Sequence, residues 1–120
     1  MFIRLHEIEM GDTQHNDAAL FFSSVLGLPV KMNEHTLTVF DSGLKKLDFN
    51  VSDHLPEGVV RISFLTDHLQ SVIQMLEKSS VQYEGPFASH LGMLAVRFKA
   101  PNGVEIVVNT ATDSSPEWLK

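Results

Sequence analysis

The chain has 120 residues, 43% of them hydrophobic, with a formal charge of −6 and no cysteine. That length carries one sizeable core. The acidic balance excludes a nucleic-acid backbone as partner, since phosphate binding needs clustered Lys and Arg, and the missing cysteines exclude disulfides, thiolate metal sites and a cysteine nucleophile.

No apolar run approaches a membrane span, because Ser, Gly or a charge interrupts each one within a few residues. Arg4, His6, Glu7 and Glu9 break any apolar leader segment. A cytoplasmic protein is expected, with no nucleic-acid or membrane partner.

Residues 4–10 read as a strand, ended by the turn at Gly11-Asp12-Thr13. A helix is expected over 16–26, where Ala18, Phe21, Phe22 and Val25 recur at i, i+3, i+4 and i+7. Gly27 ends it in the left-handed conformation and Pro29 prevents its resumption. Residues 30–32 form a short strand. Residues 36–40 and 47–51 form two more, joined through the Asp41-Ser42-Gly43 turn. Residues 53–58, with Pro56, connect to a strand over 60–66. Asp67 is expected to cap the next helix, 68–77, with Gln70 completing a capping-box-like pair. Leu69, Val72, Ile73 and Leu76 make its buried stripe. A strand starts at 81–84 and is broken by Gly85-Pro86. Strands over 94–98 and 104–108 follow, joined at Pro101-Asn102-Gly103. The tail beyond 110 is polar, except that Trp118 and Leu119 need somewhere to dock.

The order strand, helix, three strands thus occurs twice. Shifted by 54 residues, Ala18 falls on Val72, Phe21 on Met75 and Phe22 on Leu76. Two such repeats, about 1–55 and 58–110 with a polar tail 111–120, bury a core only together, as a single domain.

A strand points alternate residues to opposite faces. Leu47, Phe49 and Val51 oppose Asp48 and Asn50. Ile62 and Phe64 oppose Arg61 and Ser63. Val104, Ile106 and Val108 oppose Glu105, Val107 and Asn109. In the first strand Glu7 and Glu9 lie opposite Arg4, His6, Ile8 and Met10. One face therefore packs on helices, and the other carries Glu7, Glu9, Asp48, Asn50, Arg61, Ser63 and Glu105. Two readings are open: a sheet that shows water its polar side, or a polar face that lines a cleft.

Four segments are similar to those of the vicinal oxygen chelate superfamily, which includes glyoxalase, bleomycin-resistance proteins and extradiol dioxygenases. They are Arg4-Leu5-His6-Glu7-Ile8, the helix end Phe21-Phe22-Ser23-Ser24-Val25-Leu26-Gly27-Leu28, Ile62-Ser63-Phe64 leading to Asp67-His68-Leu69, and Pro101-Asn102-Gly103 before the last strand. The resemblance spans residues 1 to about 109. It implies an α+β fold of two βαβββ repeats, a curled mixed sheet with a cleft, and helices on the outer face. It also implies a homodimer.

The superfamily's enzymes hold a divalent metal on the cleft faces of four strands. Carried over, the first-strand ligand falls on Glu7, the second-half histidine on Arg61, the last-strand glutamate on Val107, and the fourth near Asp48 or Asn50. A guanidinium stays protonated and valine has no donor atom. The resemblance with these substitutions implies a small-molecule-binding protein with no metal cofactor, its ligand held by Glu7, Glu9, Asp48, Asn50, Arg61, Ser63, His90, Glu105 and Val107. An ion pair between Glu7 and Arg61 is expected where the metal would stand, and the acid excess favours a cationic or hydrogen-bond-donating ligand. The alternative is a metal-dependent lyase, isomerase or dioxygenase, with Glu105 shifted into the lost position and His90 as an added ligand, or an enzyme using Glu7 as acid–base group. His6, facing away from Glu7, is expected to be a packed histidine, and His15, His54 and His68 surface residues.

Overall fold

The computed structural model describes residues 1–120, the side chain of His15 excepted. Contacts divide the chain into two compact units, residues 6–61, and residues 1–5 with 62–120.

The unit of residues 6–61 contains most of β1 (Ile3–Gly11), a helix, and strands β2 (Val30–Asn33), β3 (Leu37–Asp41) and β4 (Asp48–Ser52). Its strand order is β2-β3-β4-β1. β3 is antiparallel to both neighbours and β4 runs parallel to β1. The helix begins as α1 (His15–Leu20) and widens into a π turn over Phe21–Val25. There Leu26 N–H donates to the Phe21 carbonyl, at 3.2 Å. Asp12 accepts from the N–H of Gln14 and of Ala18, so it satisfies donors at the helix start. Gly27 has φ +76°, the left-handed end that its position predicts. Ala19 packs on Phe40 and Val51 beside Ala18, with Phe22 and Phe49 edge to face at 4.9 Å, but Phe21 and Val25, expected in the same stripe, are exposed on the π turn. Gly11 is fixed by backbone approach: a Cβ there would lie 2.2 Å from the Pro56 carbonyl oxygen.

The second unit holds β5 (Val60–Thr66, from Ile62 on), α2 (Leu69–Lys78), β6 (Tyr83–Ala88), β7 (Leu94–Lys99) and β8 (Glu105–Thr110). The order is β5-β8-β7-β6, with β7 antiparallel to β6 and β8. Leu69, Val72, Ile73 and Leu76 pack on Val96 and Val108, as their spacing predicts. Each unit is thus a βαβββ arrangement whose helix covers one face of its own strands. No helix among the described residues is long and apolar enough to cross a membrane.

Three local expectations are corrected. The cap of α2 is His68, whose Nδ1 accepts from Ser71 N–H at 3.2 Å. Asp67 instead accepts from the N–H of Phe2, at 2.9 Å, so a tertiary donor claimed it. Gly85-Pro86, joined by a cis peptide bond, does not break its strand. β6 runs through it, and a register shift between Glu84 and Phe87 absorbs the irregularity. In the tail Leu119 is buried against Leu65 and Met93, whereas Trp118 is 64% exposed. The side chain of His15 lies outside the described ones.

Candidate functional site

The polar face of the first unit is built by register. β1 and β4 pair Glu7 with Asp48 and Glu9 with Asn50, and β3 adds Asp41 opposite Asp48. Directly paired residues share a face. Glu7, Asp48 and Asp41 therefore form one row, and Glu9 and Asn50 the next. The second row is buried, Glu9 being 5% exposed and Asn50 4%, whereas in the first Glu7 and Asp48 are half-buried and Asp41 is exposed.

Burial of a carboxylate requires partners. Glu9 has three. Its Oε1 accepts from Arg61 Nη2 at 3.2 Å, its Oε2 accepts from the Ser52 hydroxyl at 2.5 Å, and His54 Nδ1 stands 3.8 Å away. The ion pair expected between Glu7 and Arg61 is thus made by Glu9. Two residues further along β1, Glu9 brings its carboxylate to the guanidinium, whose charge also acts on Glu7.

Those neighbours leave Glu7 poised near neutrality. Burial is the largest cause raising its carboxyl from the ordinary 4.5 to about 7, and the nearby Glu9 carboxylate raises it further. A hydrogen bond from Asn50 opposes this, Asp48 adds to it, and the Arg61 charge lowers it. The Asn50 amide carbonyl is buried with no hydrogen-bond partner among the described residues. An acid that exchanges its proton near neutral pH thus sits beside an acceptor still available to a donor. His6, the packed histidine of the sequence reading, is buried. One of its ring nitrogens nevertheless lies within 4.8 Å of a Glu7 oxygen.

Asp48 is held by Lys31 Nζ at 2.9 Å. Lys31 reaches it because β2 bulges. Val30 pairs with Phe40 and Met32 with Val39, so Lys31 is the extra residue and the bulge re-aims its side chain.

The remaining sequence candidates lie in the second unit. Ser63 is buried on β5, and Val107 on β8. Glu105 lies 3.5 Å from Arg97 Nε, and Arg97 also bonds Glu84. His90 opens a single 3-10 turn, His90–Gly92. Glu7, Glu9, Asp48, Asn50 and Arg61 therefore come together in one unit, with Ser52, His54 and Lys31, which the sequence reading missed. Ser52 continues the alternation of Asp48 and Asn50 and was within reach of that rule. Nothing in the sequence marks the bulge that brings in Lys31.

The four positions implied for a metal do not fit one as they stand. Arg61 offers only donors and is bonded to Glu9, Val107 has no ligand atom, and Asp48 is tied to Lys31.

No protein-family model matches the sequence, and no curated protein matches it. Solved structures do match in fold. A hypothetical protein from Bacillus halodurans is 15% identical, with a TM-score of 0.72 over 98% of this chain and 100% of its own. A glyoxalase/bleomycin resistance protein/dioxygenase superfamily member from Vibrio splendidus is 17% identical, at 0.63 over 92% and 100%. Methylmalonyl-CoA epimerase from Streptomyces coelicolor is 14% identical, at 0.62 over 94% and 97%. The chain has the vicinal oxygen chelate fold, that of the glyoxalase/bleomycin resistance/dioxygenase superfamily.

Proposed function

We propose that the protein is a metal-independent small-molecule-binding protein of the glyoxalase/bleomycin-resistance type. Its ligand lies on the polar face of β1 and β4. The observation that carries this reading is the buried Asn50 carbonyl, lacking a partner, beside a Glu7 that titrates at about 7. The pair suits a ligand that donates one hydrogen bond to Asn50 and exchanges a second with Glu7. The Arg61–Glu9 pair supports metal independence, because a guanidinium occupies a position that the superfamily's enzymes give to a ligand. Ser63, His90, Glu105 and Val107 belong to the proposed ligand contacts on the resemblance alone.

The second reading is an enzyme of the same superfamily. Two observations favour it: a carboxyl poised for proton transfer, and the His6 nitrogen within 4.8 Å of a Glu7 oxygen, a donor pair suited to a divalent ion. The fold neighbours include an epimerase crystallised with 2-nitronate-propionyl-CoA. Incubation with Ni, Zn, Mn and Fe(II), desalting and elemental analysis separates the two readings. Metal at background level is expected. About one metal per chain, lost in Glu7→Ala or His6→Ala, would overturn metal independence in favour of the metalloenzyme.

The protein is further proposed to be a cytoplasmic homodimer, each chain one domain of two repeats. Exposed Leu20, Val25, Leu26, Val30 and Met32 in the first unit support a self-association surface. Light scattering at micromolar concentration should return twice the chain mass. The mass of one chain would refute it.

A further inference from the structure

On the face of the first unit opposite the acidic rows, a groove of about 260 Å³ lies between the helix and the β2–β3 pair. The helix supplies Asn16, Ala19, Leu20 and Ser23, which recur at i, i+3, i+4 and i+7 and so form one stripe. The strands supply Val30, Asn33 and Thr38. Val30 pairs with Phe40 and Asn33 with Thr38, and directly paired residues share a face. Val30 and Asn33 are three residues apart, so a regular strand would put them on opposite faces. The bulge at Lys31 lifts that constraint. It turns Lys31 to Asp48 and brings an apolar side chain and an amide to the helix side together.

The lining is uncharged, in a chain of net charge −6. The Thr38 hydroxyl donates to Asn33 Oδ1 at 2.9 Å, so the Asn33 carbonyl is engaged and its amide N–H groups are what it has left to offer. The Ser23 hydroxyl turns back to the Leu20 carbonyl, at 3.5 Å. Leu20 and Val30, 60% and 46% exposed, make apolar walls. The π turn starts directly after Leu20, and the bulge lies directly after Val30. Irregularities of both kinds concentrate at functional sites. Here the two flank one groove.

We propose that this groove is a second small-molecule site, which takes an uncharged carbonyl compound with an apolar body. The carbonyl accepts from the Asn33 amide, and the apolar body covers Leu20 and Val30. The volume is just below the usual range of ligand pockets, which suits a small ligand. A charged ligand would lose its hydration with no opposite charge in the lining to replace it. Leu20 and Val30 also belong to the surface proposed for self-association, so a second copy is the rival occupant. Its apolar side chains would bury the Asn33 N–H groups without an acceptor, which costs more than leaving them in water.

The test is a titration of the full chain with cyclohexanone, followed by amide NMR, with cyclohexanecarboxylate and cyclohexylammonium as charged counterparts of similar size. With the ketone, saturable shifts confined to residues 16–23 and 30–38 are expected. Both ions should bind about tenfold more weakly or worse. Ser23→Leu, which fills the groove from the helix side, should abolish binding. Asn33→Ala should weaken it about threefold or more. Should that variant disturb the bulge, methylenecyclohexane, which has the ketone's shape without its acceptor, gives the same comparison on the unaltered chain. Unsaturable shifts, shifts spread outside the groove, equal binding of the ketone and the ions, or binding unchanged in Ser23→Leu would overturn the site. Shifts at the same residues on dilution of the free protein, with no response to the ketone, would give the groove to a second copy instead.

Discussion

The two repeats put the same strands to opposite uses. Shifted by 54 residues, Glu7 falls on Arg61, Glu9 on Ser63 and Gly11 on Leu65. On β1 and β4 of the first unit the face away from the helix holds Glu7, Glu9, Asp48, Asn50 and Ser52, tied together by ion pairs and hydrogen bonds. In the second unit, Leu65 on the same face of β5 as Ser63 is packed under Met93 and Leu119 of the tail, and Val107 and Asn109 on β8 are buried. A helix stripe must repeat for the fold to repeat, because it makes the core. The opposite face is under no such demand. One copy buries its acids in an ionic cluster; the other carries the Glu105–Arg97–Glu84 ions along part of its face and covers Leu65 with Met93 and Leu119.

The sharpest way to break this comparison is to remove the cation that lets the first face be buried. Arg61→Ala strands the Glu9 carboxylate, and should cost about 3 kcal/mol in denaturant unfolding. Ser63→Ala, at a repeat-equivalent position of the second unit, should cost less than half of that. Equal losses would erase the contrast.

Next comes Glu7. Its folded pKa of about 7 exceeds the ordinary 4.5. The folded form therefore binds its proton more tightly than the unfolded chain does, and stability is full below about pH 4.5 and lost as pH rises to about 7. Glu7→Gln should leave stability near pH 4 unchanged and raise it at pH 8 by up to about 3 kcal/mol. A parallel pH dependence in wild type and variant would contradict the assignment.

The apolar cover of the second unit gives a smaller effect. Leu119→Ala should cost about 2 kcal/mol, at the low end for a buried leucine because it stands at the chain's last turn. Ligand binding at Glu7 should be unaffected, which thermal shift and calorimetry on the same variant would check. Smallest is Lys31→Ala. It removes a half-exposed ion pair and should cost no more than about 1 kcal/mol, less still at high salt.

The residues that make the cores were legible in the sequence because they follow simple periods. The stripe of α2 and the alternation along β4, β5 and β8 follow from spacing alone, whereas Phe21 and Val25, expected in the stripe of the first helix, are exposed where that helix widens into a π turn. What spacing cannot give is a choice between competing tertiary partners. Asp67 and His68 are both able to cap α2, and the donor that decides between them, Phe2 N–H, lies 65 residues away. Glu7 and Glu9 share a face, so alternation left open which one makes the 3.2 Å pair with Arg61; it is Glu9, while the repeat shift pointed to Glu7. Lys31 belongs to the site only through a bulge, a feature of register between β2 and β3 that no local pattern records. The burial of Leu65 and Val107 on the polar face was hidden in the same way, since alternation gives the side of a residue and not what covers it.

The most direct test of the poised acid on β1 is the titration of Glu7 itself. Carbon-13 NMR of its side-chain carboxyl, in metal-stripped protein between pH 3 and 9, should give a midpoint of about 7, falling in Asp48→Asn as a neighbouring negative charge is removed. A midpoint near 4.5, unmoved by that substitution, would show an ordinary solvated glutamate and contradict the account.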